Sequence, residues 1–389
     1  MQTYAPDRVV SLNERSAVRR APTGPSVYVA TAVAELPRVE GAWRALQGGS
    51  HAGVFAGYEW SSTVARHYAR DRRLHIALAS HSGTPVGLAP LAYRQYLGIR
   101  TLALLGSGMA DYSIADYQDI FLRPGFEQQA LTSLVDDAAQ APWDLLWLQE
   151  IPAESPVLEY LPDIARDRGW RVVVNADNDV HRIDLPATWD DFTGGLSSNC
   201  RKEIRTKLRR LEANHGATFS PIEHAKDIDG AMETLFDLHT QRWNAVGKPG
   251  IFATEQARDY YRDLAHAMYT SGSLYLATLR TEGGEAIGAD FGFDHGGTRY
   301  AYTYGYRPGT AWEKASLGLV LDCLCIRSAI EAGLTRVDLM RSEGEYKKRY
   351  GAVRSDNVEV MVFRSRTAYL RVMAYRRLRA TAKRLLKRH

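Results

Sequence analysis

The chain contains 389 residues, of which 45% are hydrophobic and 24% are charged, as in ordinary globular proteins. This length exceeds what one core usually needs and fits two domains of about 150 to 200 residues each. The net charge of +4 is unevenly distributed, because residues 361–389 hold ten Lys and Arg and no acid, which leaves the rest of the chain acidic. No apolar run of about eighteen residues is present, so the sequence predicts no membrane-spanning helix.

The N-terminal residues and the cysteines indicate in which cellular compartment the protein is expected. Residues 1–25 mix acids, arginines, proline and serine without an apolar signal core, which predicts a flexible arm and argues against secretion. Cys200, Cys323 and Cys325 provide neither a disulfide framework nor the spacing of a zinc site. We therefore predict a bacterial-type cytoplasmic protein without a metal ion.

Helices and strands alternate in the first half of the chain. Apolar alternation marks the strands, and the Gly83–Pro85 turn marks a hairpin between two of them. The predicted elements are strand 26–30, helices 34–46 and 59–68, strands 74–79, 87–94, 101–105 and 119–122, helix 127–139 and strand 144–149.

The second half repeats this order of elements. The segment 283–294 is similar to 83–94, and 335–341 is similar to 143–149. These parallels predict a duplicated α/β fold with roughly 200 residues per copy. The predicted elements are a helical pair in 188–216, helices 228–245 and 255–270, strands 274–279, 286–294 and 299–306, helix 317–332 and strand 336–341.

Several well-known catalytic motifs are absent. The sequence has no G-x-S-x-G elbow, P-loop, G-x-G-x-x-G fingerprint or H-E-x-x-H pair. Serine hydrolase, kinase, dehydrogenase and zinc protease activities therefore lose their usual support.

The strand 299–306 carries four tyrosines at alternate positions, which predicts that they share one face. A half-buried aromatic strand is one explanation. The loop that follows favours a functional one, because it leads to a new helix N-terminus whose free N–H groups and positive dipole end suit a phosphate or pyrophosphate. The candidate donor-binding residues are Tyr304, Gly305, Arg307, Ser316 and Gly318.

The strand 336–341 continues into a charged aromatic loop. Asp338 lies within the apolar strand, where a carboxylate is costly unless it is paired, so either an internal salt bridge or a functional role is open. Lys347 is a candidate for holding an anionic substrate group or a developing oxyanion, with an ordinary surface lysine as the alternative.

Segments between residues 288 and 351 carry a family resemblance. They are Tyr304-Gly305-Tyr306-Arg307-Pro308, Gly318-Leu319, and Asp338-Leu339-Met340-Arg341-Ser342-Glu343 with Tyr346-Lys347; weaker agreement lies in 116–119, 201–216, Leu238-His239 and Arg242-Trp243. These segments resemble the CelD-like GNAT acyltransferases, which are related to the Fem-type aminoacyl-tRNA-dependent peptidyltransferases.

The resemblance implies two GNAT-like halves and transfer of an acyl group from an activated carrier to an amine or hydroxyl. It implies that Lys347 occupies the family's aromatic-lysine pair, with Tyr346 before it. Strands 299–306 and 336–341 are then expected to splay apart and to leave backbone donors for the acyl carbonyl. Tyr306 is the candidate acid, and Asp290 or Glu343 the candidate base.

The candidate substrate-binding residues come from three segments. For His239 and Trp243, which share a helix face, core packing is the alternative. No Gly-rich pyrophosphate loop is recognisable at 307–311, which keeps aminoacyl-tRNA open as the alternative donor to acyl-CoA. The candidates are His239, Arg242, Trp243, Asp338, Arg341 and Tyr346.

We predict an α/β (α+β) fold of two tandem GNAT-like domains, each a mixed twisted sheet flanked by helices. The predicted boundaries are a 1–25 arm, domains 26–185 and 186–364, and a basic amphipathic helix at 365–389. The predicted function is N-acyl transfer from acyl-CoA to an amine, with the C-terminal domain catalytic. The alternatives are Fem-type transfer from aminoacyl-tRNA to a cell-wall precursor or small metabolite, and a non-catalytic assembly factor at a membrane surface.

The C-terminal helix places Leu370, Met373, Leu378 and Leu385 at helical spacing among Arg and Lys. Three uses remain open for it: contact with RNA such as a tRNA acceptor stem, contact with an anionic inner-membrane surface, and packing on the domain. The basic segment 201–210 is a second candidate for tRNA contact, or a solvated helix face.

Overall fold

The computed structural model describes residues 24–48, 53–69, 73–107, 115–309, 312, 315–341 and 345–386, so nearly all of the predicted arm lies outside the described residues. The helices are α1 (Glu40–Gln47), α2 (Tyr58–Tyr68), α3 (Glu127–Ala139), α4 (Pro156–Asp167), α5 (Trp189–Gly195), α6 (Ser198–His215), α7 (Ile228–Asn244), α8 (Glu255–Thr270), α9 (Leu317–Glu331) and α10 (Arg366–Leu386). The strands are β1 (Ser26–Ala30), β2 (Leu74–His81), β3 (Thr84–Tyr96), β4 (Ile99–Leu104), β5 (Phe121–Leu122), β6 (Leu145–Pro152), β7 (Arg171–Asp184), β8 (Thr218–Pro221), β9 (Leu274–Arg280), β10 (Ala286–His295), β11 (Thr298–Tyr306), β12 (Arg336–Arg341) and β13 (Val353–Phe363).

One mixed sheet runs through both halves of the chain. Its order is β1-β2-β3-β4-β6-β13-β7-β12-β11-β10-β9-β8, with β5 paired to β3. The pairs β4–β6 and β11–β12 are parallel, and the other pairs along this path are antiparallel. The predicted α/β fold with mixed sheets is confirmed.

The duplication predicted from sequence is visible in the sheet. The hairpin β2–β3 in the first half corresponds to β9–β10 in the second. Each hairpin is followed by a strand, a helix and a strand parallel to the first, namely β4-α3-β6 and β11-α9-β12. The sequence similarities of 83–94 with 283–294 and of 143–149 with 335–341 therefore fall on equivalent strands.

Two strands that the sequence analysis missed join the halves. β7 pairs with β13 along most of its length and with β12 through its last residues, 180–184. β13 lies between β6 and β7, so residues 353–363, which fall within the predicted domain 186–364, hydrogen-bond with strands of the predicted domain 26–185. The alternation of Val358, Val360 and Val362 was the available signal for β13.

The largest hydrophobic cluster also spans both halves. Phe55 and Trp60 of the first half make edge contacts with Phe293 of the second, with ring centroids 5.8 and 5.6 Å apart. Helices α2, α7 and α8 cover this face of the sheet, and α9 covers the other face of the second half. Such an interdomain core holds the two halves in one fixed arrangement.

The prediction that four tyrosines of β11 share one face is wrong. β11 contains a bulge opposite Gly292, where its pairing with β10 changes register. Tyr300 and Tyr302 pack in the core with α7 and α8, whereas Tyr304 and Tyr306 pack with residues of α9 on the other face. A bulge inserts one residue into the alternation, so side chains beyond it change face.

The predicted C-terminal helix is present as α10. Ala368 and Val372 are buried against Met361 and Phe363 of β13, so one face of α10 packs on the sheet. Among the helices of the described part, none combines the length and apolarity that crossing a bilayer requires.

Candidate active site

The two strands that were expected to splay do so. β11 and β12 are paired from Thr298 and Arg336 to Tyr300 and Asp338, and beyond that point their ladder ends. Residues 301–306 of β11 and 339–341 of β12 are not paired with each other, and Gly318 near the start of α9 lies beside Tyr304 and Tyr306. The space between these strand ends is called the cleft below. Backbone groups that lose their ladder partner must be satisfied by side chains, water or a ligand.

Lys347 fills the base of this cleft. It lies in a 3-10 helix, Glu345–Tyr350, and its side chain is only 2% exposed. Its Nζ donates to the carbonyl oxygens of Leu339 (2.6 Å) and Met340 (2.9 Å) in β12. Burial lowers the pKa of Lys347 to about 8, against the opposing effect of nearby carboxylates. Two of its three N–H groups thus hold the open strand.

Asp338 stabilises the same strand from the other side. Met340 has a positive φ of 58°, and its N–H donates to Asp338 Oδ1 at 2.7 Å. Tyr117 from the first half donates its hydroxyl to Asp338 Oδ2 at 2.6 Å, and Arg182 Nε donates to the same oxygen at 3.2 Å. The buried carboxylate predicted to need a partner therefore has three, and it locks the strained residue in place.

Arg341 makes ion pairs with the first half. Its Nε lies 2.9 Å from Asp116 Oδ1, and its Nη1 lies 2.8 Å from Glu150 Oε1. Burial raises the pKa of Asp116 to about 6 and also raises the pKa of Glu150. The guanidinium predicted to bind substrate is thus engaged by carboxylates of the chain itself.

A cationic aromatic wall lines the open part of the cleft. The Cζ atom of Arg242 on α7 lies 4.7 Å from the ring centroid of Tyr304, 4.8 Å from that of Tyr306 and 5.3 Å from that of Trp243. Tyr304 and Tyr306 are stacked on each other. Gly318 lies beside both tyrosines, and a Cβ there would stand 3.5 Å from the Tyr306 ring. Tyr304 and Gly318, predicted to bind the donor, and Tyr306, the predicted acid, therefore lie next to one another.

Asp322 is the site residue that the sequence analysis missed. It is the only charged residue in the first ten residues of α9, one turn after Gly318, and that isolation was the available signal. Burial, reinforced by the carboxylate of Asp290, raises its pKa to about 7. It accepts a hydrogen bond from Tyr350 at 3.2 Å. The pKa of half-buried Tyr304 is raised by burial and further by the charge of Asp322.

Asp290, predicted as a base, lies deeper on the same face. Its carboxylate accepts a hydrogen bond from Tyr275 at 3.1 Å. Its residue is 2% exposed, and burial raises its pKa to about 6 against the effect of hydrogen bonds from Cys325 and Tyr275. Asp290 is thus enclosed by side chains of the second half itself.

His239 and Gly305 are packing residues. His239 is buried, with its ring centroid 4.7 Å from that of Phe252, and burial lowers its pKa to about 3. A Cβ on Gly305 would stand 2.4 Å from the backbone N of His239. Gly305 therefore allows β11 to approach α7, and this contact places Arg242 over the tyrosines.

We expect Gly305→Ala to lower the free energy of unfolding by about 2–3 kcal/mol or more, because the backbone of α7 cannot yield as a side chain can. Urea denaturation measures this change. Gly318→Ala is the matched control, since its Cβ would meet Tyr306 at an ordinary 3.5 Å, and it should leave stability nearly unchanged. Equal stability of the two variants would contradict the close approach.

The remaining predicted residues surround the cleft. Arg307 forms an ion pair with Glu285 at 3.1 Å. Ser316 precedes α9 with a φ of 55° and makes no side-chain capping bond. Tyr346 is 42% exposed and makes an edge contact with Tyr350. Glu343, the other predicted base, lies outside the described residues.

A five-strand run containing a parallel pair that opens beside a helix N-terminus is the arrangement of the GNAT fold, and the chain contains it twice. The chain therefore has a double-GNAT fold. Residues 198–348 match the family model of the acetyltransferase (GNAT) domain, so this segment belongs to that family.

Solved structures with the same fold extend over both halves. FemX has a TM-score of 0.62 at 10% identity, covering 86% of this chain and 97% of FemX. L-PGS from Bacillus licheniformis has a TM-score of 0.53 at 13% identity, covering 87% of this chain and 96% of that one. At these identities the likeness concerns the fold. No curated protein sequence matches the chain significantly.

Proposed function

We propose that the protein transfers an acyl group from acyl-CoA to an amine in the cleft between β11 and β12. The observation that carries this proposal is that Gly318, which lies beside Tyr304 and Tyr306, and Asp322 occupy consecutive turns at the start of α9. Ser316, the residue before α9, makes no side-chain capping bond to any described residue, which favours binding of the phosphate oxygens of a donor by the first N–H groups of the helix. The positive charge of Arg242 on the same wall adds to this attraction.

The proposed reaction uses one base and one acid. Asp322 accepts a proton as the amine nitrogen attacks the thioester carbonyl carbon. The C–S bond then breaks, and Tyr306 donates its proton to the departing thiolate. A base with a pKa of about 7 is partly ionised at neutral pH, which suits general base catalysis. Lys347 fixes the end of β12 through the carbonyl groups of Leu339 and Met340, and the acyl group is proposed to lie between that end and β11.

We place the acceptor amine in a cavity of about 250 Å³ between the halves. Asp338, the last residue of β12 to pair with β11, lines this cavity together with Glu154 and Tyr300. Two arginines, Arg182 and Arg336, also line the cavity, and Arg182 pairs with both carboxylates, so the lining suits a polar acceptor that can bond to acids and arginines alike. The acceptor would thus reach the point where the strands begin to separate, and a small metabolite or a cell-envelope precursor with a free amine fits this description.

A thermal-shift titration tests the donor. Acetyl-CoA and longer acyl-CoA thioesters are added to the full chain, with a pool of aminoacyl-tRNA in a parallel series. A ligand at 100 times its Kd stabilises the folded state by about 2.7 kcal/mol, which raises Tm measurably. A shift with an acyl-CoA supports the proposal. A shift with aminoacyl-tRNA and none with any acyl-CoA overturns it.

A basic face on α6 favours aminoacyl-tRNA as the second candidate donor. Lys202, Arg205 and Arg209 are exposed on successive turns of α6, and α6 packs against α9, which carries Asp322. A polyanion bound there would reach the same cleft. Arg205→Glu with Arg209→Glu should abolish a shift caused by aminoacyl-tRNA and leave one caused by acyl-CoA intact.

A further inference from the structure

The outward face of α10 exposes apolar side chains. Leu370 is 55% exposed and Leu378 is 71% exposed, and their spacing of eight positions places both on one side of the helix. Ala374, between them, is also exposed. The opposite side holds Ala368, which is buried against the sheet. The exposed leucines are therefore not needed for packing α10 on the domain.

The same face is strongly basic. The sequence contains no Asp or Glu after Glu359. Arg366, Arg371 and Arg377 flank the leucine stripe and are exposed. Arg376 is turned inward instead and donates to Glu359 at 2.5 Å. The exposed side of α10 therefore combines positive charge with apolar surface and has no compensating acid.

Positive charge together with exposed leucines distinguishes between RNA and an anionic membrane as the partner of α10. Phosphates of an RNA would attract the arginines, but they offer nothing to exposed leucines. An anionic bilayer surface attracts the arginines through its headgroups and accepts the leucines at the boundary of the acyl chains. We infer that α10 docks on anionic phospholipid membranes, with Leu370 and Leu378 inserted into the interface. This inference holds whichever acyl donor the protein uses.

Vesicle sedimentation with the full chain tests the inference. The vesicles contain either equal parts of phosphatidylglycerol and phosphatidylcholine or phosphatidylcholine alone. We expect binding to the first only, and Leu370→Ser with Leu378→Ser should weaken it at least about tenfold. Arg366→Gln with Arg377→Gln should weaken it about fivefold for each charge removed. Circular dichroism checks that each variant remains folded.

A matched control uses exposed valines elsewhere. Val174→Ser with Val353→Ser alters side chains that are 50% and 67% exposed on strands, and it should leave vesicle binding unchanged. Three results overturn the inference: no binding to anionic vesicles, equal binding by the leucine variant and the wild type, or retention of a tRNA that depends on the arginines and not on the leucines.

Discussion

Replacing Asp322 with asparagine is expected to lower kcat about 100- to 10,000-fold, which is the usual range for loss of a general base. The amide keeps the size of the side chain and its contact with Tyr350, but it cannot accept the proton of the attacking amine. In the wild type, kcat should rise with pH to a plateau with a midpoint near the pKa of Asp322, about 7. Steady-state rates with the donor identified by thermal shift, taken across pH, measure both effects.

Asp290→Asn is the decisive comparison, because the sequence alone pointed to that carboxylate. Removal of its negative charge should lower the pKa of Asp322, since that charge contributes to raising it. The variant should therefore keep most of its activity and shift its pH profile to lower pH. If Asp290→Asn loses activity while Asp322→Asn retains it, the assignment of the base to Asp322 is wrong.

The carboxylate of Asp322 should also affect the stability of the fold. The pKa of Asp322 is raised from 3.8 to about 7 in the folded protein, mainly by burial. Between about pH 4 and 7 the folded state therefore keeps a proton that the unfolded state releases, so the contribution of this group to stability falls as pH rises. Relative to wild type, Asp322→Asn should become more stable by up to about 4 kcal/mol over this window. Urea denaturation at several pH values measures the difference.

Replacing Lys347 with methionine is expected to lower the free energy of unfolding by about 2–5 kcal/mol. The variant leaves the carbonyls of Leu339 and Met340 without their donor, and each unsatisfied buried carbonyl costs about 1–3 kcal/mol. The backbone of Met340, which has a positive φ, should then relax to an unstrained conformation, so activity should also fall. Denaturant unfolding and a rate assay under folding conditions measure the two losses separately.

Lys348→Met is the matched control, because Lys348 is the next residue in the same 3-10 helix and its side chain is exposed. It should change stability by no more than about 0.5 kcal/mol. If the two variants behave alike, Lys347 does not hold the cleft open. An inactive but fully stable Lys347→Met would instead indicate contact with substrate.

Local periodicity accounts for most of what was predicted. Alternating and helical apolar patterns located nearly all the elements of residues 26–149 and 255–341, and the repeated order of elements revealed the duplication. Strands β7 and β13 were not predicted because polar residues within them weaken the apolar alternation. The bulge in β11 was not predicted because its position depends on the pairing of β11 with β10 across Gly292.

The partners of the site residues were beyond the reach of the sequence. Tyr117 and Asp338 are 221 positions apart, and Glu150 and Arg341 are 191 apart. Asp338 and Arg341 were predicted to bind substrate, and both engage side chains of the other half. The sequence does not show whether a charged residue at a cleft pairs with a ligand or with a distant residue of the same chain. Only the folded structure distinguishes these two cases.

By itself the sequence determined the fold class, an α/β chain of two similar halves with a basic helix after them, and it predicted a site near 304–306, 318 and 338–347. Hydrophobic periodicity and turn residues carry that information because they depend on neighbours in sequence. The tertiary structure alone decided which carboxylates have a raised pKa, which side of β11 each tyrosine occupies and which carbonyl groups Lys347 binds. Those properties arise from burial and from contacts between distant residues, which shift pKa values and fix strained backbone only after the sheet has formed.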